Sequence, residues 1–312
     1  MQMEGFSEER IKRLVSQVFS KRYQVERRLG EGGMGCVFQV KSRDVATAFF
    51  ALKILSKEDY SVYANIYAEV YSLQDLNHPG IPKILEVKED DQYVYIIQEF
   101  IYGVDLKTLM LKYGRVEEDI IVFWMNELAE ILQYLHVQGV LHRDIKPGNI
   151  MLSNDGQLKV IDFGLARDSE DRDGVDFRVV GTLAHTPPER YIRKASDEQT
   201  DIYGYGSTFY FLASGEIPLS MKEEPQKNMQ LMMRRLKTQV SPAVFNIIKT
   251  CMAVDPQDRY GAFEEILYDV VRIDVYNQRL IQSEKKTKRI GFLALASLTL
   301  GVIFTVSSFL LL

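Results

Sequence analysis

Near the start of this 312-residue chain, apolar positions recur every three or four residues. That spacing predicts an amphipathic helix within residues 1–22. Its apolar positions are Ile11, Leu14, Val15, Val18 and Phe19. We expect this stripe to pack on the domain that follows, and binding of a separate partner is the alternative.

Short β-rich runs come next and predict strands at residues 23–29, 37–41, 48–55 and 93–100. Between the first two lies G-E-G-G-M-G-C-V, at residues 30–37. Glycine lets backbone N–H groups approach phosphate oxygens closely. A dinucleotide-binding turn would open a helix, whereas this stretch runs into a strand. The pattern therefore favours a loop that closes over a nucleotide.

The second half of the chain has mainly helical periods. Residues 117–137 predict a buried helix with a wide apolar stripe. The stripe consists of Ile120, Ile121, Trp124, Leu128, Ile131, Leu132 and Leu135. Two apolar runs, residues 150–152 and 158–161, then predict short strands around a turn at residues 154–156. A β-rich part followed by a helical part predicts an α+β fold.

Two acidic residues, Asp144 and Asp162, flank this predicted hairpin. A tight hairpin brings their carboxylates to one edge. Because Lys146 and Asn149 follow the first of them, a small space holds two anions, a cation and an amide oxygen. This inventory suits phosphoryl transfer, in which the protein positions the groups and holds a metal against phosphate oxygens.

Residues 142–149, H-R-D-I-K-P-G-N, and residues 162–164, D-F-G, resemble the catalytic loop and the metal loop of eukaryotic-type (Hanks-type) serine/threonine protein kinases. The resemblance implies a two-lobed kinase domain at residues 23–276. Its β-rich lobe would span residues 23–100 and its helical lobe residues 101–276.

The resemblance also assigns roles to the motif residues. Asp144 would accept the hydroxyl proton or orient the attacking oxygen, and Lys146 would neutralise charge on the transferred group. Asn149 and Asp162 would supply oxygen ligands, which suits Mg²⁺, and Mn²⁺ can take the same place. A lysine two positions after Asp144 is the form seen in serine/threonine kinases.

ATP is the nucleotide that the resemblance implies. Lys53 lies in an otherwise apolar strand, where an ammonium group needs an anionic partner. By resemblance it holds the α and β phosphates, and Glu69 is its carboxylate partner. The nearer acids Glu58 and Asp59 stand at a helix start, where they suit the helix dipole.

The same alignment places the adenine edge against the main chain of Glu99 and Ile101, and the ribose near Asp105. Gln98 falls where many relatives have an apolar residue at the back of the pocket. The other predicted ATP-binding residues are Gly30, Glu31, Gly32, Gly33, Met34, Gly35, Val37 and Ala51.

Residues 164–189 resemble an activation segment and its closing motif, in which His185 replaces a frequent tyrosine at a position that bears on substrate preference. The segment's hydroxyl candidates for autophosphorylation are Ser169, Thr182 and Thr186. Residues 168–176 contain five acids and one arginine. Our hypothesis is that these acids partly replace a phosphate as the partner of Arg143, so that basal activity exists without phosphorylation. A solvated loop is the alternative.

Two structural contacts follow from the resemblance. Glu189 would pair with Arg259, and Asp201 would brace the catalytic loop from a buried helix.

Residues 290–312 carry no charge and, at about 1.5 Å per residue, can cross a hydrocarbon core of roughly 30 Å. A basic linker, residues 277–289, precedes them. The positive-inside rule then predicts a single-pass anchor in the cell membrane, with the kinase in the cytoplasm. The basic linker should also attract anionic lipid. A buried soluble helix is the alternative, and small residues in this span leave a homodimer open.

Composition argues against several other classes of protein. Two cysteines, Cys36 and Cys251, do not make a disulfide framework and fit a reducing compartment. The four histidines lack metal-ligand spacing, which argues against zinc. A net charge of −5 argues against a nucleic-acid binder.

We therefore predict a membrane-tethered kinase, of bacterial type, that uses Mg-ATP to phosphorylate serine or threonine of cytoplasmic proteins. A tethered pseudokinase scaffold is the main alternative, but it would be expected to lack Lys53, Asp144 or Asp162, and all three are present. A kinase for small metabolites is a second alternative, and the long activation segment argues against it.

Overall fold

A computed structural model describes residues 8–32, 35–45, 47–57, 70, 73–163, 184–191 and 197–273. These residues form a β-rich N-terminal lobe and a mainly helical C-terminal lobe. A cleft lies between the lobes, and Lys53, Gln98 and Asp162 line a cavity within it.

The N-terminal lobe is built on an antiparallel five-stranded sheet with the order β1-β2-β3-β5-β4. Its strands are β1 (Tyr23–Gly32), β2 (Gly35–Ser42), β3 (Phe49–Ser56), β4 (Ile84–Glu89) and β5 (Tyr93–Glu99). The sequence pattern did not predict β4. Half of its residues are charged, Leu85 is 47% exposed, and its register against β5 shifts between Ile84 and Glu86. An edge strand of this kind lacks a regular alternation.

The glycine-rich stretch continues the first hairpin. Strand β1 extends to Gly32 rather than to residue 29, and the register pairs Gly30 with Val37 and Gly32 with Gly35. This result agrees with the expectation that the stretch runs into a strand and does not open a helix.

The N-terminal amphipathic pattern forms helix α1, Glu8–Val18. Ile11, Val15 and Phe19 are fully buried in an apolar cluster on one face of the sheet. The sheet partners in this cluster are Val25, Cys36, Phe38, Val40, Leu52, Ile54, Tyr95 and Ile97. The helix is therefore part of the core of the N-terminal lobe.

Six helices of the C-terminal lobe lie within the described ranges. They are α2 (Leu106–Tyr113), α3 (Glu118–Val137), α4 (Glu198–Ser214), α5 (Pro225–Leu236), α6 (Pro242–Cys251) and α7 (Phe263–Val271). Every residue of α4 from Thr200 to Ala213 is buried, so this helix lies at the centre of the lobe. An Asp197 capping box fixes its start.

Helix α3 has a narrower buried face than its sequence suggested. Trp124, Leu128 and Leu135 are buried as predicted, but Ile120 is 45% exposed. One side of the helix packs on α4 and α7 and leaves Ile120 and Phe123 toward solvent. The prediction that Ile120 lies in the buried stripe is therefore wrong.

The predicted catalytic hairpin is present. Strands β7 (Ile150–Ser153) and β8 (Leu158–Val160) pair antiparallel, with Ile150 opposite Val160, and β6 (Gly103–Asp105) completes a three-stranded sheet. The turn closes where Gly156 N–H donates to the Ser153 carbonyl at 2.9 Å.

The predicted membrane segment, residues 290–312, and its basic linker lie outside the described residues. Among the residues that the structure does describe, no helix combines the length and the apolarity needed to cross a bilayer.

Candidate functional site

The cleft joins one cation from the N-terminal lobe to one anion from the C-terminal lobe. Lys53 lies on β3 between Leu52 and Ile54, and strand alternation turns it away from the α1 cluster. Its Nζ lies 3.3 Å from Oδ1 of Asp162. The Lys53 side chain is 18% exposed, so its charge is largely withdrawn from water and this carboxylate balances it.

Asp162 lies two residues after the end of β8, in the left-handed backbone region at a φ of 55°. The Lys53 ammonium lowers the pKa of its carboxyl group and outweighs the opposing effect of burial. Just before it, the main chain is fixed because Ile161 N–H donates to the Asn149 carbonyl at 2.9 Å. The carboxylate is therefore held ionised inside the cleft.

Asp144 is the centre of a second cluster. Lys146 Nζ donates to Oδ2 of Asp144 at 2.8 Å, and the Asn149 amide donates to the same oxygen at 3.0 Å. The amide also donates to the Asp144 carbonyl at 2.9 Å. A compact 3₁₀ turn at Pro147–Asn149 brings these residues together. One carboxylate, one ammonium and one amide thus form a single hydrogen-bonded unit.

Asp201, on α4, anchors the turn that presents Asp144. Its carboxylate accepts from His142 N–H at 2.8 Å and from Arg143 N–H at 2.7 Å. Arg143 has a φ of 65°, a conformation that a residue with a Cβ adopts at an energetic cost. Asp201 is 1% exposed, and its two backbone bonds offset that cost.

His142 connects the catalytic turn to the strand that leads to Asp162. It is fully buried, its Nε2 lies 3.0 Å from the Ile161 carbonyl, and its ring contacts that of Phe163 at 4.8 Å. Burial lowers the pKa of the imidazole, which therefore stays neutral at neutral pH. Neutral His142 donates one hydrogen bond to the Ile161 carbonyl and fixes the distance between the two loops.

The donor set fits a hard divalent cation held jointly with a nucleotide. Because the Asn149 N–H groups face Asp144, its amide oxygen is turned away from that carboxylate. This oxygen and Asp162 are the two protein ligands that the resemblance implies for Mg²⁺. Within the described ranges, no three or more His, Cys, Asp or Glu side chains gather as a metal cluster. Phosphate oxygens and water would complete the coordination of such a cation.

Most of the other residues predicted to bind the nucleotide lie on the first three strands. Val37 pairs with Gly30 on one side and with Lys53 on the other. Gly35 packs so closely that an added Cβ would meet the Ile54 carbonyl oxygen at 2.0 Å. Of the other predicted residues, Ala51 is buried, Glu31 pairs with Arg28, and Gly32 ends β1.

The connector between the lobes begins at the end of β5. Glu99 pairs with Phe50, its N–H donates to the Lys83 carbonyl at 2.9 Å, and Ile101 is 9% exposed. Behind it, Gln98 lines a cavity together with Lys53, Ile96, Asp162 and Phe163. Gln98 is thus placed at the back of the cleft, where the sequence predicted it.

Asp105 has a structural task that the sequence did not predict. Its two carboxylate oxygens accept from the N–H and the hydroxyl of Thr108, at 2.8 and 2.7 Å, and cap α2. A ribose contact would use the remaining lone pairs of these oxygens.

Glu189 and Arg259 form the ion pair that the resemblance implied. Two guanidinium nitrogens donate to the two carboxylate oxygens at 2.7 Å each. Arg259 also donates to the Ala253 and Gln199 carbonyls at 2.9 and 2.8 Å. Arg259 is 6% exposed, and this network fastens the closing motif to the helical core.

Beside Asp144, the closing motif lines a small second cavity. Its lining includes Arg143, Asp144, His185, Thr186 and Arg190. Thr186, a predicted phosphorylation candidate, therefore lies next to the catalytic turn. Several other predicted residues lie outside the described residues, namely Gly33, Met34, Glu69, Ser169 and Thr182, together with the acidic stretch at 168–176.

Sequence reasoning missed two supports of the site. His136 Nε2 lies 3.0 Å from Asp201, and Gly204 packs directly against the main chain of Ile145. Both contacts join segments that are far apart in sequence. The only sequence signal for Gly204 is a glycine inside an otherwise strong helical pattern, which indicates close packing.

The fold and the cleft together are the two-lobed protein kinase fold. The protein kinase domain family matches residues 23–270. The chain belongs to this family.

Individual relatives agree with this assignment. The chain is 27% identical over 268 residues to the probable serine/threonine-protein kinase PknB of Lactococcus lactis, an alignment that covers 82% of this chain and 42% of the relative. It is 28% identical over 250 residues to human ribosomal protein S6 kinase alpha-3, with 78% and 34% covered. The alignments thus span less than half of each of these two relatives.

Among solved structures, the chain resembles the crystal structure of Rad53 1-466 in complex with AMP-PNP. The TM-score is 0.67, the identity is 27%, and the alignment covers 83% of this chain and 68% of that one.

Proposed function

We propose that this protein is a serine/threonine protein kinase that transfers the γ-phosphate of ATP to protein hydroxyl groups. The observation that carries the proposal is the convergence of two clusters on one cleft. Lys53 and Asp162 lie 3.3 Å apart across the lobes, and Asp144, Lys146 and Asn149 form one hydrogen-bonded unit beside them.

Each side chain has a task that its environment supports. Lys53 contacts the α and β phosphates, and it can exchange its bond to Asp162 for bonds to phosphate oxygens. Asp144 orients the acceptor hydroxyl group and takes up its proton. Lys146, bonded to Asp144, balances the charge that develops on the transferred group.

A divalent cation, Mg²⁺ with Mn²⁺ as a substitute, would be held by Asn149 and Asp162, and when bound it would neutralise phosphate charge. Because the described part of the chain offers these two protein ligands, we expect the cation to bind most firmly together with ATP. The lowered pKa of Asp162 keeps that carboxylate in the ligating form throughout the neutral range.

Two further considerations favour a serine or threonine acceptor. Lys146 follows Asp144 by two positions, and both relatives named above carry kinase names, one of them explicitly serine/threonine. Rad53 was crystallised with AMP-PNP, an ATP analogue, which supports ATP as the nucleotide. Autophosphorylation at Ser169, Thr182 or Thr186 belongs to the same proposal.

We also propose that residues 290–312 anchor the kinase in the cell membrane as a single-pass segment, with its catalytic domain in the cytoplasm and acting on cytoplasmic proteins. The support is the uncharged span and the basic linker before it. Extraction of cell membranes at alkaline pH tests this. The full chain should stay in the pellet and a chain ending at residue 289 should not.

Phosphotransfer is tested with radiolabelled ATP, Mg²⁺ and a generic basic protein, using the full chain and its Asp144→Asn and Asp162→Asn variants. We expect label in the substrate protein only with the parent chain. Equal label from all three proteins would mean that a contaminating kinase is the source of the label. The proposed kinase activity would then be rejected, and a nucleotide-binding scaffold would remain as the alternative. Acid hydrolysis of the product should release phosphoserine or phosphothreonine.

A further inference from the structure

Helix α1 lies outside the part of the chain that the kinase family covers, yet it is built into the N-terminal lobe. The family match begins at residue 23, whereas α1 spans Glu8–Val18. Ile11, Val15 and Phe19 have no exposed surface and share one apolar cluster with four strands of the sheet. Without α1, that face of the sheet would be an apolar surface open to water.

The strand that carries Lys53 has two faces with different partners. Leu52 and Ile54, the neighbours of Lys53, belong to the α1 cluster, and both are fully buried. Because side chains alternate along a strand, Lys53 points into the cleft from the opposite face. The packing of α1 therefore acts on the same short segment of backbone that carries the phosphate-binding lysine.

Strand β5 shows the same division. Tyr95 and Ile97 belong to the α1 cluster, whereas Val94 and Ile96 belong to the core that continues into the C-terminal lobe. The register places Ile96 opposite Lys53, at the centre of the sheet. Strands β3 and β5 thus lie between α1 on one side and the cleft on the other.

Specific contacts fasten the end of α1 to the sheet. The Phe19 ring meets the rings of Tyr23 and Tyr95 edge to face, at centroid distances of 5.3 and 6.1 Å. Lys88, on β4, donates to the Val18 carbonyl at 3.0 Å, and its Nζ lies 5.3 Å from the centre of the Phe19 ring. An ammonium group at this position also interacts favourably with the negative, carbonyl end of the helix dipole.

We propose that α1 is a positioning element for ATP binding, which holds β3 from behind so that Lys53 reaches the phosphates. The proposal rests on the proposed kinase function. Loss of the α1 contacts lets β3 and Lys53 shift while the C-terminal lobe remains folded. Phe19 and Lys88 are then positioning residues that never touch the nucleotide.

The two cysteines of the chain report the state of each lobe. Cys36 is 1% exposed within the α1 cluster, and burial raises the pKa of its thiol to about 11. Cys251 is fully buried in the core of the C-terminal lobe, and burial raises its pKa as well. The rate of Cys36 alkylation therefore measures how often α1 separates from the sheet. The rate of Cys251 alkylation measures how often the C-terminal lobe unfolds locally.

The experiment compares the full chain, in detergent micelles, with the Phe19→Ala, Lys88→Met and Gln17→Ala variants. Gln17 is exposed on the same helix and serves as the matched control. Iodoacetamide labelling of each cysteine is followed by mass spectrometry. Mg-ATP affinity is measured by displacement of a fluorescent nucleotide, and phosphotransfer by radiolabel.

For Phe19→Ala we expect Cys36 labelling and the Mg-ATP dissociation constant each to rise by about ten-fold or more, with unchanged Cys251 labelling and an unchanged KM for the protein substrate. Lys88→Met should give a smaller effect of the same kind. If Phe19→Ala also raises Cys251 labelling, the test relies on Lys88→Met instead. Faster Cys36 labelling with unaltered ATP affinity would overturn the proposal, as would slow Cys36 labelling in both variants.

The outcome for the kinase function is separate. If the parent chain binds Mg-ATP but transfers no phosphate, the proposed function fails, while the affinity comparison still decides the role of α1.

Discussion

Lys53 and Asp162 meet across the cleft, with Nζ 3.3 Å from Oδ1, although 109 positions separate them in the sequence. Their contact joins the two lobes at the point where the phosphates of ATP would lie. The Lys53 ammonium lowers the pKa of the Asp162 carboxyl group and so keeps it in its charged form.

The first prediction concerns this pair. Lys53→Met should raise the pKa of Asp162 toward its ordinary value and reduce phosphotransfer by about 10²–10³-fold, because one electrostatic contact to the phosphates is lost. A carboxyl-detected NMR titration and a steady-state assay measure the two effects. Lys57→Met is the matched control, since Lys57 pairs with Glu89 at 2.7 Å near the end of the same strand. Undiminished transfer by Lys53→Met would contradict the assigned role.

The second prediction concerns Asp201. Asp201→Asn should lower the free energy of unfolding by about 3 kcal/mol, because an amide cannot accept all three hydrogen bonds from His136, His142 and Arg143. Turnover should fall as well, since the left-handed turn at Arg143 loses its anchor. Urea unfolding measures the stability. Asp258→Asn, which removes an exposed charge, should change it by less than about 0.5 kcal/mol.

The third prediction concerns the buried ion pair. Arg259→Lys should destabilise the protein by about 2–4 kcal/mol, because lysine cannot reproduce the forked bonds to Glu189 or both carbonyl contacts. Arg272→Lys makes the same chemical change at an exposed position. If both variants unfolded at the same urea concentration, the fork would add nothing to stability.

The fourth prediction is a pH dependence from His185. Its Nδ1 lies 2.9 Å from the Ser207 hydroxyl, which itself donates to the Gly204 carbonyl, so Nδ1 carries the hydrogen. Burial, with Lys146 and Lys107 nearby, lowers the pKa of this imidazole to about 3. In the unfolded chain histidine takes up a proton near pH 6.5. The contribution of neutral His185 to stability is therefore complete above about pH 6.5 and is lost as the pH falls toward 3.

Between pH 7.5 and pH 5.0 the parent chain should therefore lose about 2 kcal/mol more stability than His185→Gln, at about 1.4 kcal/mol per pH unit below 6.5. Glutamine can still donate to Ser207 but does not titrate. Urea unfolding at both pH values gives the difference. Identical losses in the two proteins would show that His185 does not stay neutral in the fold.

Local patterns predicted the parts of the molecule that depend on local rules. The β7–β8 hairpin followed from two apolar runs around a turn, and the α1 stripe followed from its helical period. The edge strand β4 did not, because its charged residues break the alternation. Ile120 was misplaced because the period alone cannot tell how much of an apolar stripe a neighbouring helix covers.

The site shows the same division between motif and support. The motif residues form two contacts, Lys53 with Asp162 and Asn149 with Asp144, and the resemblance had implied one site for all four. The capping bonds of Asp105 and the contact of His136 with Asp201 depend on the final backbone geometry. These contacts cannot be predicted from one sequence, because aspartate and histidine residues occur in many other structural roles.

The last prediction concerns Gly204, a residue outside every motif. A Cβ there would lie 2.7 Å from the carbonyl oxygen of Ile145, directly after Asp144, and this main-chain atom has to move to make room. Alanine favours a helix by about 1 kcal/mol over glycine, whereas overpacking costs about 1–3 kcal/mol. Gly204→Ala should therefore lower the free energy of unfolding by about 1 kcal/mol. Because Asp144 moves with Ile145, turnover should fall by a larger fraction than stability does. At Gly148, inside the catalytic loop, a Cβ meets nothing within 4 Å, so Gly148→Ala is the control for stability. A Gly204→Ala protein with full turnover would show that the catalytic turn tolerates this displacement.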